Sequence, residues 1–181
     1  CESIAKGACC TPSETCEFIE STTCKNIGGI WYGDGSSCIK TICSTSDFDE
    51  CEDAMNISLG TTDFSTAEAS NSSDPYNDST CSDSYLGAMH ADIWFSYEAT
   101  FTGILNVSTC NSATFDTDLV MYAGQCGDLK QIACNGDNEL CSGYSSLINI
   151  EVASGESYLI RLGGWESGDA GEGTLNLYTL E

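Results

Sequence analysis

Cysteine is the residue that most constrains this chain, because 13 cysteines lie within 181 residues. Such a density is typical of disulfide-bonded proteins that fold in an oxidising compartment outside the cytosol. The cysteines form two groups, seven within residues 1–43 and six within residues 51–141. We therefore predict two units: a disulfide-rich N-terminal unit over residues 1–46 and a larger domain over residues 47–181.

The N-terminal unit is too short to bury a core, so its cysteines must supply its stability. Glycine turns at Gly28-Gly29 and Gly33-Asp34-Gly35 flank a short predicted strand, Ile30-Trp31-Tyr32. Zinc is the competing interpretation, but this segment has no Cys-x-x-Cys pair and no nearby histidine. We predict three disulfides among six cysteines, which leaves Cys1 as a surplus. Cys1 is a candidate for lipid attachment, for a bridge to a neighbouring chain, or for a bond to a removed segment.

The larger domain shows the alternation of apolar and polar residues that is typical of β-strands. Its runs recur about every 10 to 15 residues between turns, the spacing expected of a sandwich. They occupy residues 93–97, 104–107, 119–122, 147–152, 158–162 and 175–178. We predict an all-β fold, an antiparallel β-sandwich of jelly-roll type. Residues 60–84 break the rhythm with polar side chains, which predicts a long surface excursion.

Charge excludes two classes of partner. The formal net charge is -23, and Lys130 and Arg161 are the only basic residues beyond position 43. So acidic a surface repels phosphate backbones and anionic lipids, which argues against nucleic-acid and membrane-surface binding. No apolar stretch reaches the roughly 18 residues of a membrane span. The hydrophobic content of 41% is too high for a disordered acidic tail.

Several segments of the larger domain together resemble a known family. They are Asp92-Ile93-Trp94-Phe95-Ser96-Tyr97, Val107-Ser108-Thr109-Cys110, Phe115-Asp116-Thr117-Asp118-Leu119, Ile132-Ala133-Cys134-Asn135-Gly136-Asp137 and residues 155–164. Over roughly residues 48–180 the chain resembles bacterial pre-peptidase C-terminal-like domains, which are sandwiches similar in appearance to CUB domains. The N-terminal unit is similar to short cysteine-rich repeats found beside such domains. The resemblance implies an extracellular, non-catalytic module that often binds calcium and sometimes binds collagen or polysaccharide.

The same resemblance guides the disulfide prediction. Related domains often carry a cysteine near the position of Phe101, facing Cys110, and its absence makes Cys126 the candidate partner of Cys110. We further expect Cys134 to pair with Cys141 and Cys51 with Cys81. Six cysteines allow 15 pairings, so the others stay open.

Calcium has its best candidate ligands in two acidic segments, since Ca²⁺ prefers six to eight oxygen ligands. Asn135, Asp137 and Glu139 place side-chain oxygens at alternate positions around Gly136, and Asp116 and Asp118 flank a strand start. A second acidic cluster comprises Asp47, Asp49, Glu50, Glu52 and Asp53. A solvated acidic surface is the alternative for any single loop. We expect at least one calcium, because carboxylates this dense repel one another unless a cation lies between them.

Catalytic motifs are absent from the sequence. It contains no Gly-x-Ser-x-Gly elbow, phosphate loop or metalloprotease helix motif, and its single histidine, His90, has no serine marked as its partner. With 28 acidic residues, some carboxyl pair will have a glycosidase-like separation by chance. We predict a protein that is not an enzyme.

Two surface features complete the sequence predictions. Asn-x-Ser/Thr sequons make the chain a candidate glycoprotein at Asn56, Asn71, Asn77 and Asn106. Trp165 lies in an evident glycine-rich loop, where it is a candidate for stacking on a sugar ring or for anchoring the loop.

Two functional hypotheses follow for this extracellular or cell-surface protein. The first is a structural or adhesive protein that associates with itself or with other surface proteins, in the extreme case as a filament subunit joined through Cys1 and exposed edge strands. The alternative is a carbohydrate-binding accessory module of a larger secreted enzyme, with polysaccharide as its partner and Trp165 in its binding site.

Overall fold

The computed structural model of this chain describes residues 6–11, 15–31, 36–38, 48–74, 76–81 and 85–180. The chain divides into two compact units, Cys1–Asp47 and Phe48–Glu181. Cys1 and the turn at Gly33-Asp34-Gly35 lie outside the described residues, so the predictions made for them stay predictions.

The N-terminal unit is a small sheet held by disulfides. Strands β1 (Lys6–Cys10), β2 (Cys16–Glu20) and β3 (Ile30–Trp31) pair in the order β2-β1-β3, and helix α1 spans Ser21–Asn26. Disulfides join Cys9 to Cys24 and Cys16 to Cys38. A Cβ on Gly29 would lie 2.7 Å from the Cys9 sulfur, so glycine allows the chain to pass the first of these bonds. For these four cysteines, the preference for disulfides over zinc is confirmed.

The larger unit is a β-sandwich of two sheets, as predicted. The strands are β4 (Met55–Ile57), β5 (Gly60–Ser65), β6 (His90–Glu98), β7 (Gly103–Ser108), β8 (Thr117–Gln125), β9 (Asp128–Asn135), β10 (Leu147–Val152), β11 (Ser157–Gly164) and β12 (Glu172–Leu180). One sheet has the order β10-β7-β12-β5 and the other β4-β6-β11-β8-β9. The strand pairs are antiparallel except β4 with β6, which is parallel.

The main core lies between the two sheets. Alternate residues of β6 (Ile93, Phe95 and Tyr97) are buried there, opposite Leu105 and Val107 of β7. This arrangement explains the period-two pattern of the sequence, because successive side chains of a strand point to opposite faces.

A second core covers the other face of the five-stranded sheet. Trp94, Val120, Tyr122 and Leu159 point away from the first core and pack with Met89, which precedes β6. Cys51, Ala54, Tyr76 and Leu86, from the chain segments before β6, also pack onto this face and cover it. Strands buried on both faces read as continuous apolar runs, which is what residues 93–95 and 119–122 show.

The prediction of a surface excursion over residues 60–84 is wrong in part. Residues 60–65 are not part of a surface excursion but form β5, which pairs with β12 at the edge of the four-stranded sheet. Only Phe64 of β5 is buried, so this edge strand carries little hydrophobic alternation in its sequence.

The three predicted disulfide pairings are also wrong, although all six cysteines are bonded. The bonds are Cys51–Cys126, Cys81–Cys134 and Cys110–Cys141, with Cα–Cα distances of 5.8, 5.9 and 5.0 Å. Cys51, Cys126 and Cys134 belong to the second core. Two of the bonds therefore tie the covering segments to β9 and to the β8–β9 turn, a contact that sequence proximity does not reveal.

Candidate functional site

Four loops meet at one end of the sandwich, which we call the loop end. The last residue of β11, Gly164, pairs with Thr117 at the start of β8 and with His90 at the start of β6. The loop end therefore comprises the segments next to these positions, residues 85–89, 111–116, 136–146 and 165–171. Hydrogen bonds connect them: Ala88 N–H donates to the Trp165 carbonyl at 2.9 Å, and Thr117 N–H donates to the Tyr144 carbonyl at 3.3 Å.

Two glycines allow the loops to approach this closely. A Cβ on Gly87 would lie 2.2 Å from the carbonyl oxygen of Trp165, and a Cβ on Gly164 would lie 2.0 Å from that of Asp169. Any other residue at either position would push backbone against backbone. The glycines thus fix the loops over residues 85–89 and 165–171 relative to the sheet.

Asp116 and Asp118 lie at this end of the sandwich, and each has one buried carboxyl oxygen without a hydrogen-bond partner. Asp118 is fully buried, and its Oδ2 accepts the Gly87 N–H at 2.8 Å, whereas its Oδ1 has no hydrogen-bond partner. The Oδ1 of Asp116 is likewise buried without a partner. An unpaired buried oxygen is costly, so this pair is a local departure from the usual satisfaction of polar groups.

The electrostatics of this pair follow from its surroundings. Burial raises the pKa of Asp118 to about 8, the charges of Asp116, Asp137 and Asp169 add to that rise, and the Gly87 N–H opposes it. Burial also raises the pKa of Asp116 to about 6, with Asp137, Asp169 and Glu166 contributing. The charges of Asp137 and Asp169 thus act on both carboxyls of this pair.

The other two predicted calcium ligands have different positions. Asn135 holds its own loop, because its Oδ1 accepts the Leu147 N–H at 2.8 Å and its Nδ2 donates to the Asp137 carbonyl at 3.2 Å. Glu139 is exposed. Within the described part of the chain, no three His, Cys, Asp or Glu side chains are placed as ligands of one metal ion. The calcium site thus stays a prediction.

In the second acidic cluster, one carboxylate forms hydrogen bonds within the fold. The Asp49 carboxylate accepts hydrogen bonds from the backbone N–H and the hydroxyl of Ser70, at 2.6 and 2.8 Å. Burial, followed by the charge of Asp49, raises the pKa of Glu50. Asp47 lies outside the described residues.

An open cleft of about 290 Å³ lies beside the acidic pair. Its lining consists of Tyr85, Asp137, Asn138, Glu139, Cys141, Gly143 and Tyr144. Tyr85 and Tyr144 are 72% and 67% exposed, although tyrosine rings are usually at least partly covered. Both have left-handed backbones, with φ of 50° and 56°, a conformation that is strained for aromatic residues and concentrates at functional sites.

The rim of the cleft is fixed by covalent and polar contacts. The Cys110–Cys141 disulfide ties it to the end of β7, and the Asn111 side-chain oxygen accepts the Ser142 N–H at 2.9 Å. Ser146 is buried, and its backbone N–H donates to the hydroxyl of Thr109 at 3.0 Å. A rim held in this way needs little ordering when a ligand binds.

Neither tyrosine was predicted from the sequence as a binding residue. Each stands alone in a polar segment, Ser84-Tyr85-Leu86 and Gly143-Tyr144-Ser145, where no periodic pattern explains a large aromatic residue. An isolated aromatic among turn residues is the pattern that would have pointed to them.

Trp165, the predicted sugar-stacking residue, lies at the loop end but is not part of the lining of this cleft. The residue is 43% exposed, and its Cδ1 atom faces Gly87. The contact with Gly87 agrees with a role as a loop anchor, and sugar stacking stays a prediction.

The four predicted sequons differ in access. Asn106 is 2% exposed, and its Nδ2 donates to Asn149 Oδ1 at 2.7 Å, so the folded domain leaves no room for a glycan there. Asn56, Asn71 and Asn77 are exposed. Asn71 also contacts the His90 ring, with 3.0 Å between the two side-chain nitrogens, which gives that histidine a structural partner.

The fold and the loop end together define a disulfide-braced β-sandwich module. Residues 47–176 match the family of galactose binding domain-like modules associated with the type IX secretion system (T9SS). Since this match spans more than half of the chain, the protein belongs to that family.

Comparison with solved structures finds a pre-peptidase C-terminal domain, as the sequence resemblance implied. The domain, from a collagenase of Bacillus anthracis, is 15% identical with a TM-score of 0.44, and the match covers 69% of this chain and 94% of that one. No curated protein matches the chain, and no helix in its described part is long and apolar enough to cross a membrane.

Proposed function

We propose that this chain is a non-catalytic extracellular module that binds polysaccharide as an accessory to a larger secreted protein. Its membership of a galactose binding domain-like, T9SS-associated family supports both the binding role and the secreted setting. Its disulfides agree with an oxidising compartment. Among the two hypotheses from the sequence, these observations favour the accessory module over the filament subunit.

The observation that carries this proposal is the pair of exposed tyrosines on one cleft. Tyrosine faces pack against the apolar face of a sugar ring at small conformational cost, because the side chain has few rotatable bonds. Asn138 and the carboxyls of Asp137 and Glu139 lie beside them as hydrogen-bond partners for hydroxyl groups. A concave site with aromatic walls and a few polar groups is the usual form of a small-ligand site.

Affinity electrophoresis of the full chain against a panel of soluble neutral polysaccharides tests the proposal. We expect at least one polysaccharide to retard the wild type, and Tyr144→Ala to weaken that binding by about tenfold, which corresponds to about 1.4 kcal/mol. Tyr178→Ala is the matched control, because Tyr178 is 44% exposed but lies on β12, away from the cleft. Equal binding by both variants would assign the tyrosine cleft no role.

As a second candidate, we propose that Ca²⁺ binds at the acidic pair of the loop end. Asp116 and Asp118 supply buried carboxylate oxygens that have no hydrogen-bond partner, and Asp137 and Asp169 lie close enough to raise their pKa values. Such oxygens suit a hard cation, which would supply the missing positive charge to this cluster. Asp116 and Asp118 would hold the ion, with Asp137 and Asp169 as neighbouring carboxylates.

Thermal denaturation with and without a chelator tests the calcium site. We expect added Ca²⁺ to raise the Tm of the chelated wild type and to leave that of Asp118→Asn unchanged. Asp63→Asn is the control for charge alone, since Asp63 is exposed on β5 and should keep the full response. A wild type whose Tm ignores Ca²⁺ has no such structural site.

A further inference from the structure

The charged side chains in the lining of the tyrosine cleft are all acidic. They are Asp137 and Glu139, with Asn138 between them in the sequence, and no Lys, Arg or His belongs to the described lining. An ionised carboxylate accepts hydrogen bonds but donates none. The two carboxylates of this cleft can therefore be satisfied only by donors that the ligand brings, either hydroxyl groups or an ammonium group.

The negative potential extends beyond the cleft itself. Asp137 lies near the buried pair below, and its charge adds to the rise in pKa of both Asp116 and Asp118. Asp169 and Glu166, from the loop after β11, add to the rise for Asp116. Carboxyls from three loops of the loop end thus act on one another.

The lysine and arginine side chains of the larger unit lie away from the cleft. Arg161 is 1% exposed, and its charge is bound to Asp92. Lys130 lies on β9 opposite Ala123, roughly 20 Å along β8 from the loop end. At that distance a Lys130 charge is largely screened at physiological salt. In the absence of a divalent cation, a uronic acid or a sulfated sugar would therefore find no counter-ion among the described residues that line this cleft.

The rigid rim makes this charge pattern selective. Because the Cys110–Cys141 disulfide and the hydrogen bonds of Asn111 and Ser146 fix the loop backbone, Asp137 and Glu139 stay in the lining of the cleft when a ligand approaches. Like charges held near one another discriminate strongly against the wrong partner.

We infer that the cleft between Tyr85 and Tyr144 selects non-acidic sugars and prefers amino sugars, whose ammonium group would bind the carboxylate of Asp137 or Glu139. This inference rests on the proposed polysaccharide binding and assigns its ligand class. One sugar ring stacks on a tyrosine, and its donors face the acidic side of the cleft.

Isothermal titration of the full chain with three oligosaccharides of equal length tests the inference. The first is built of glucosamine, the second is its N-acetylated counterpart, and the third is oligogalacturonate, all in chelator and at a pH low enough to protonate the amine. We expect the glucosamine oligomer to bind about threefold or more tighter than the acetylated one, and this advantage to shrink in high salt. Oligogalacturonate should not bind.

Two variants separate the cleft from the overall charge. Glu139→Gln and Glu156→Gln change the net charge equally, but Glu156 lies at the β10–β11 turn, away from the loop end. We expect Glu139→Gln to remove most of the glucosamine advantage and Glu156→Gln to leave it intact.

The outcomes distinguish this inference from the function on which it rests. Oligogalacturonate binding as tight as glucosamine binding, or equal effects of the two variants, would overturn the selectivity while leaving polysaccharide binding in place. Binding of neutral polysaccharides with no binding of either glucosamine polymer would do the same. A chain that binds no sugar of any charge would refute both.

Discussion

Arg161 and Asp92 form an ion pair on the outer face of the five-stranded sheet, with side chains only 2% and 0% exposed. The Arg161 guanidinium also donates to the backbone carbonyls of Asp74 and Ser72, at 2.8 and 3.1 Å. Asp92 in turn accepts the Ser72 N–H at 2.7 Å. This single pair therefore fastens the segment around Ser72 and Asp74, which lies just before Tyr76 of the second core in the sequence. The Tyr76 hydroxyl in turn donates to the Gly87 carbonyl at the loop end.

Removing one of the two charges of this ion pair should be strongly destabilising. We expect Asp92→Asn to lower the free energy of unfolding by about 3 to 5 kcal/mol, because it leaves a buried guanidinium without its counter-ion. Urea denaturation measures the change. The double variant Asp92→Leu/Arg161→Met removes both charges and should lose less than the sum of the single variants. A loss below about 1 kcal/mol for Asp92→Asn would show that the pair does not fasten the segment.

The acidic pair of the loop end predicts an unusual pH dependence in the absence of divalent cations. Asp118 has a folded pKa of about 8, above its ordinary value of 3.8, so between these limits the folded state holds a proton that the unfolded state has lost. Its contribution to stability is complete below about pH 4 and is lost as the pH rises through about 8, with a slope of at most about 1.4 kcal/mol per pH unit.

Denaturation across this pH range in chelator measures the effect. Asp118→Asn should flatten the decline and be more stable than the wild type at pH 8, since the amide stays neutral and its oxygen can still accept the Gly87 N–H. Parallel curves for the two proteins would contradict the raised pKa. Added Ca²⁺ should reduce the slope of the wild type, because a bound cation favours the ionised carboxyl.

The disulfides should separate global stability from the shape of the cleft. Cys51–Cys126 closes 75 residues and Cys110–Cys141 closes 31, for which chain entropy gives about 4.5 and about 3.7 kcal/mol. We expect Cys51→Ser/Cys126→Ser to lose somewhat more unfolding free energy but to keep sugar affinity. Cys110→Ser/Cys141→Ser should lose affinity as well, because its bond forms part of the cleft. Equal affinity in both variants would show that the Cys110–Cys141 bond does not contribute to sugar binding.

The sequence predicted the sandwich because six of its strands are buried on at least one face and carry the alternation that burial imposes. It could not predict β5, in which only Phe64 is buried, or the disulfide partners, which depend on how the covering segments fold over the sheet. Asp116, Asp118 and Asp137 were predicted as calcium ligands from their positions around predicted strands, and that role stays a prediction. Tyr85 and Tyr144 were missed because their exposure and backbone conformation follow from loop packing rather than from periodicity.

Gly87 offers the sharpest test of how the loop end is assembled. Its N–H donates to Asp118, its carbonyl accepts from Tyr76, and a Cβ would lie 2.2 Å from the Trp165 carbonyl oxygen. Because that oxygen belongs to the backbone, Gly87→Ala must move one loop away from the other. We expect a loss of about 2 to 3 kcal/mol in unfolding free energy and a clear fall in sugar affinity.

Gly143→Ala is the control for Gly87→Ala on the rim of the same cleft. Gly143 has a φ of 70° and no atom within 4 Å of an added Cβ, so alanine there costs only the left-handed backbone, about 1 to 2 kcal/mol. Thermal denaturation and near-ultraviolet circular dichroism, which reports the environment of Trp165 and the tyrosines, compare the two variants. A near-ultraviolet spectrum of Gly87→Ala identical to that of the wild type would show that the loops tolerate the added methyl group, and that close packing at Gly87 does not set the geometry of the loop end.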